Sequence, residues 1–247
     1  MNAVVPEARG AAAPPVTAAA AARWRRLLWP GVMALAMLAV LVALGTWQLH
    51  RLAWKENILA GIAAAERAPA IALPPQPSPF QKVRVSGRLR TDLAAWYGAE
   101  VRDTRRGPQL GAQLIQPLER TRAPPVLVDR GWLPLTAPVP LEGAGAASID
   151  GYVRLPGHPR WFSAADDPAG RHFYTLDPAA IGAALGLHQV APFVLVALGP
   201  ETGALPDPAH HLPQPPNNHL NYALTWYGLA LGLVLVFGSW AFSELRA

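Results

Sequence analysis

Residues able to do chemistry are few in this chain. There is no cysteine, which removes disulfides, Cys-ligated zinc, iron–sulfur clusters, thiol nucleophiles and thiolate copper sites. G-x-S-x-G, the P-loop, H-E-x-x-H and G-x-G-x-x-G are all missing. Asp166 and Asp167 form an acid pair, but adjacent side chains on a loop seldom converge on one substrate, and a solvated turn is the expectation. Asp129-Arg130-Gly131-Trp132 closes an apolar run. It reads either as a strand end, with an Arg–carboxylate contact and a buried Trp, or as a surface for a partner.

The histidines offer more. His210 and His211 sit side by side in a Pro-rich loop, which makes joint ligation of copper or zinc awkward. His219 opens an apolar stretch after Asn217 and Asn218, two residues suited to capping a helix. His219, Tyr222 and Trp226 follow at i, i+3 and i+7, so in a helix they share a face. That set suits an axial ligand to a flat, apolar, iron-bearing cofactor such as heme. It equally suits an interfacial histidine that caps or snorkels, with the aromatic rings as belt residues. From the residues alone, the interfacial reading is favoured and the ligand reading stays open.

These residues are positioned by two long apolar runs. Leu27–Leu49 carries no charge over 23 residues, and roughly 20 helical residues span a hydrocarbon core. Trp29 and Trp47 bracket it at headgroup depth. A cleaved signal peptide is the rival, but the run is longer than a signal core and no small-x-small cleavage site follows. Leu220–Ser243 is also uncharged, with Tyr222, Trp226 and Tyr227 at one end and Trp240 and Phe242 near the other. A buried core helix would be shorter. Within it, Gly228 and Gly232 make a small-xxx-small step. The first run, with Ala34, Ala36, Ala39 and Ala43, is its expected partner.

The formal net charge of +5 is unevenly placed. Residues 1–28 hold Arg9, Arg23, Arg25 and Arg26 against Glu7, and residues 51–218 exceed neutrality by only two. This is a topology signal, not a nucleic-acid face. The arm holds the N-terminus in the cytoplasm, two spans return the C-terminus there, and the central domain lies outside, in the periplasm of a bacterium.

The expected architecture is a membrane α protein with a β-rich soluble domain. Two transmembrane helices flank a mainly antiparallel sheet or small barrel with one or two short helices. Residues 1–26 form a disordered, Ala/Pro-rich tail ending in the basic arm. Residues 27–49 are the first transmembrane helix, 50–219 the exported domain and 220–243 the second transmembrane helix. His50–Arg67 continues the first helix beyond the membrane, and the prolines of 69–79 then forbid regular structure. Strands are expected at Val83–Leu89, Ala94–Val101, Leu114–Leu118, Val126–Trp132, Ile149–Leu155, His172–Leu176 and Pro192–Leu198. A short helix is expected at Pro178–Leu185, capped by Asp177 and stopped by Gly186. Residues 205–216 should run extended into the last helix.

Three stretches carry a resemblance: Gly45–Lys55 (GTWQLHRLAWK), Val126–Pro134 (VLVDRGWLP) and Asn217–Ala230 (NNHLNYALTWYGLA). Weaker pieces, VRVSGRL at Val83–Leu89, GAQLIQPL at Gly111–Leu118 and FYTLDPAAIGAALGL at Phe173–Leu187, keep the same order. Together they resemble the Surfeit locus protein 1 family over roughly residues 44–242. The resemblance implies a non-catalytic assembly factor for heme–copper cytochrome c oxidase, in the bacterial inner membrane, that binds heme a transiently and helps insert it into subunit I. It implies His219 as the axial ligand to heme iron, with Trp226 and Tyr222 beside it. Subunit I and the lipid bilayer would be its partners, with heme a synthase a further candidate and no nucleic acid. The alternative is a membrane-anchored scaffold that grips oxidase subunits and never binds heme.

Overall fold

The alternation of Val83, Val85 and Leu89 with Arg84, Ser86 and Arg88 is what a strand with one buried face requires, and these residues build β2 (Lys82–Leu89). The computed structural model describes residues 16–246 except 142, 159, 160 and 162. They form α1 (Val16–Arg67), β1 (Ile71–Ala72), β2, β3 (Ala95–Thr104), β4 (Gly107–Arg120), β5 (Ala123–Pro134), β6 (Gly145–Arg154), β7 (His172–Phe173), α2 (Pro178–Ala184), β8 (Val194–Ala197) and α3 (His219–Arg246). The chain divides into two units, residues 1–58 with 215–247, and residues 59–214.

In the second unit the strands run in the order β1-β2-β6-β8-β5-β4-β3-β7, and β2 also pairs with β4. That extra pairing, Arg88 with Glu119 and Leu89 with Leu118, closes β2, β6, β8, β5 and β4 into a five-stranded ring. Arg90 clamps the closure, donating to Glu119 at 2.6 Å and through its backbone N–H to the Pro117 carbonyl. Side chains from all five strands fill the ring, among them Val85, Leu118, Val128, Val153 and Leu195. Leu127, Ile115 and Val194 face the other way and pack with Ala95, Phe173 and Ile181 in a second core under β3, β7 and α2.

The sheet is mixed but mainly antiparallel, as expected: among the described residues five of its eight strand pairings are antiparallel, and the parallel ones are short. β1·β2, β3·β7 and β5·β8 are parallel pairs. A parallel pair needs a crossover, and the long return from β5 to β8, which includes α2, supplies one. β1 was not expected among the prolines of 69–79; it fits because a two-residue edge segment needs few ladder hydrogen bonds. β7 stops short of Leu176 because Asp166 Oδ1 accepts from Tyr174 N and Thr175 N, diverting donors that would extend the ladder. α2 starts as expected, with Asp177 accepting from Ala179 N at 2.9 Å and Pro178 in the first turn.

α1 is longer than the tail reading allowed. Residues 16–26 of the expected disordered segment are helical, because the alanines of 18–22 have the highest helix propensity and extend an existing helix without a nucleation cost. Residues 1–15 lie outside the described residues. At its other end α1 runs on to Arg67 as expected, and Ile62 of the partial apolar face is buried. Glu66 fixes the last turn, accepting from Leu212 N at 2.6 Å and pairing with Lys82.

α1 and α3 are long and apolar enough to cross a membrane. Their large side chains, including Leu28, Met33, Leu35, Leu229, Leu231 and Val236, stay exposed, unlike those of a core helix.

Candidate functional site

α1 and α3 meet along a narrow seam. On α1 the covered or half-covered positions include 27, 31, 34, 38, 41, 45, 48 and 52, a spacing of alternating four and three residues, with Leu44 half-covered beside them. On α3 they include 219, 223, 226, 227, 230, 233 and 237. This is the pattern of two helices packed nearly along each other's length. They run antiparallel: Gly31 lies by Phe237, Gly45 by Tyr227 and Gln48 by His219.

Gly45 makes the closest approach. A Cβ there would fall 2.8 Å from the Tyr227 ring. The Tyr227 hydroxyl lies 3.1 Å from Thr46 Oγ1. Thr46 spends its own proton on the Val42 carbonyl at 2.9 Å, so Tyr227 is the donor. The expected packing step is therefore misplaced: Gly228 and Gly232 have nothing near an added Cβ. Of the four alanines assigned to the contact, Ala34 lies on the seam and Ala36, Ala39 and Ala43 are exposed. The helices approach on a glycine of α1, with Ala223 and Ala230 as the small residues of α3. A small-xxx-small pair marks where a backbone can be approached, not which helix approaches it.

His219 is half-buried at the first position of α3, and its Nδ1 lies 2.7 Å from Gln48 Oε1. Gln48 is 9% exposed, the one polar side chain buried among the described residues of this helix pair. An amide oxygen can only accept, so Nδ1 carries the proton and Nε2 presents its lone pair. A histidine oriented through Nδ1–H in this way is set up to ligate through Nε2. The Asn217 cap is not made: its Oδ1 is buried without a hydrogen-bond partner among the described residues. Tyr222 is 55% exposed and Trp226 half-buried. Gln48 and Tyr227 were missed, although both lie in stretches already singled out; the four-and-three spacing from Leu27 to Leu52 was the available signal.

The other candidates resolve locally. His210 directs Nδ1 to the Gly199 carbonyl and Nε2 to Asp207, while His211 is exposed. Asp167 Oδ1 accepts from Gly170 N, so the acid pair organises a turn. In Asp129–Trp132 the Trp is buried, but Arg130 donates to Gln116 Oε1 at 2.9 Å, not to a carboxylate. Gly131 has φ of 112°, and a Cβ there would come within 2.0 Å of the Asp207 carbonyl. Trp132 and Asp207 exchange backbone hydrogen bonds, so the extended 205–209 segment is pinned to the sheet. Asp129 is 3% exposed; burial pushes its carboxyl up to about 6, against the opposing pull of Gly131 N–H, Arg154 and Arg102.

Residues 35–231 match the model of the SURF1 family. The chain belongs to the SURF1 family. A SURF1-like protein of Rickettsia felis is 30% identical over 208 residues, covering 80% of this chain and 90% of that one. Surfeit locus protein 1 of mouse is 27% identical, covering 77% and 69%, and that of Homo sapiens 26%, covering 76% and 69%. The SURF1 match takes in Gly45, Gln48, His219, Trp226 and Tyr227, and stops one residue before Gly232.

Proposed function

We propose that this SURF1 protein is a non-catalytic assembly factor for heme–copper cytochrome c oxidase that holds heme a against α3 and hands it to subunit I. The observation that carries the reading is the Gln48–His219 hydrogen bond, which leaves Nε2 free for iron. Trp226 and the exposed Tyr222 would supply aromatic surface beside the ring. Heme a is the cargo and supplies the iron centre of the oxidase; the chain's own residues hold and orient it and shield its apolar face from water.

The setting proposed is a bacterial inner membrane. α1 and α3 cross it, both termini are cytoplasmic and the β domain is periplasmic. Support comes from the exposed apolar side chains of both helices and from Arg23, Arg25 and Arg26 ahead of the first span. Subunit I and the bilayer are the partners, with heme a synthase as the candidate donor.

The test is the visible spectrum of the full-length protein purified from cells that make heme a. A heme spectrum is expected, and His219→Ala should abolish it or change its spin state. Gln48→Leu should weaken retention, because the ring loses its orienting acceptor, while His211→Ala should change nothing. A protein that never carries heme yet still supports oxidase assembly is the scaffold instead.

A further inference from the structure

The β domain contains a cavity of about 270 Å³ on the outer face of β5, β8 and β6. One water needs only about 10–15 Å³ of such volume, so the space suits a ligand group. Its roof is an irregularity in β3, where the pairing with β4 shifts between Tyr97 and Glu100 and leaves Gly98 and Ala99 out of register. Bulges of this kind re-aim side chains next to binding sites. Asp207 and Pro208, held by Trp132, close one end.

The charges facing the cavity are unevenly satisfied. Arg102 is paired with Glu100 and Asp207, both at 3.0 Å. Asp129 is not paired. Its Oδ1 accepts from Gly131 N at 3.0 Å, and its Oδ2 has no hydrogen-bond partner among the described residues although the side chain is 97% buried by its 3% exposure. Across from it Arg154 donates to the Tyr97 hydroxyl at 3.1 Å and lies over that ring, with no carboxylate of the described residues in ion-pair contact. Tyr152, also lining the space, has a hydroxyl with no partner among the described residues. An acceptor on a buried side chain, a half-buried cation and a free hydroxyl thus look onto one void.

We propose that this cavity is a binding site for a neutral carboxamide group, which donates its N–H to Asp129 Oδ2 and accepts at its carbonyl from Arg154 and Tyr152. An anion would meet the Asp129 carboxylate, and a cation would meet Arg154. A carboxamide satisfies both ends and adds no charge. The site lies wholly within residues 59–214, so it stands whether or not the helix pair carries heme.

Three isosteric probes test it on the full chain in lipid nanodiscs at pH 7.5: acetamide, acetate and acetamidinium, followed by ligand-observed saturation-transfer NMR. Acetamide should give a saturable signal and the two ions at least tenfold less. Asp129→Asn and Arg154→Gln should each lower the acetamide signal at least tenfold. The unmodified chain provides a check free of folding artefacts. At pH 4.5, where Asp129 is protonated, its signal should fall several-fold and recover on return to pH 7.5. Capped glutamine (N-acetyl-Gln-methylamide) separates two sources of the group. If it displaces acetamide, the natural ligand is an Asn or Gln side chain of a polypeptide; if it does not, the ligand is a small free amide. Preference for either ion, or no saturable signal at all, overturns the proposal and leaves a water-filled cavity.

Discussion

Along α1 from Leu27 to Leu52 every third or fourth side chain is covered or half-covered and nearly all the others are open, whereas Val83, Leu118, Val126, Val153 and Leu195 of the ring are fully enclosed. The helix pair draws its specificity from a few contacts: Gly45 under Tyr227, Thr46 with Tyr227, Gln48 with His219. The ring instead spreads its stability over a closed ladder and two cores, so no single apolar contact decides it. In the domain the sensitive positions are therefore polar or glycine. In the helix pair a single small residue controls how closely the two backbones approach.

The largest break in this comparison should come from Gly131→Ala. It combines a left-handed backbone with a collision against the Asp207 carbonyl, roughly 2–6 kcal/mol in total. Thermal unfolding of the full chain should show the domain transition lost or greatly lowered. An unchanged transition would mean that the 205–209 segment is not pinned to Trp132.

Asp129 comes next. Its folded carboxyl titrates at about 6, against 3.8 in the open chain. The folded state therefore binds the proton more tightly, so Asp129's contribution to stability falls as pH rises from about 4 to 6 and stays low above that. At about 1.4 kcal/mol per unit, the loss is about 3 kcal/mol. Asp129→Asn should stabilise the domain at pH 8 and lose that advantage at pH 4; equal stabilisation at both would refute the assignment.

Gly45→Leu should cost about 1–3 kcal/mol in the helix pair alone, by driving a side chain into the Tyr227 ring. Crosslinking between cysteines placed at 38 and 233 should drop while the domain transition stays put. The smallest effect belongs to Gly228→Ile, which meets nothing within 4 Å of its Cβ and should leave that crosslink intact. A loss there would return the contact to the glycine step of α3.

Much of the fold was legible along the chain. Two uncharged runs marked α1 and α3, the alternation in 83–89 marked β2, and Asp177-Pro178 marked the start of α2. These are local signals, set by hydropathy period and by the geometry of one residue and its neighbours. The extent of β4, the two-residue β1 and the parallel pairs were not legible, because strand partnership joins segments with no mutual signature in sequence.

The candidate site divides in the same way. Sequence by itself determined that His219 opens an apolar helix, that Asp129-Arg130-Gly131-Trp132 closes an apolar run, and that no thiol or nucleophile motif competes for the function. Only the tertiary structure decided that Gln48, 171 residues away, supplies the acceptor that orients the His219 ring. It also decided that Tyr227, not Gly228, meets α1, and that Asp129 faces a void instead of an arginine partner. The physical reason is common to all three. A side chain's type is local, but its hydrogen-bond partner, its burial and hence its charge state depend on what folds against it from elsewhere in the chain.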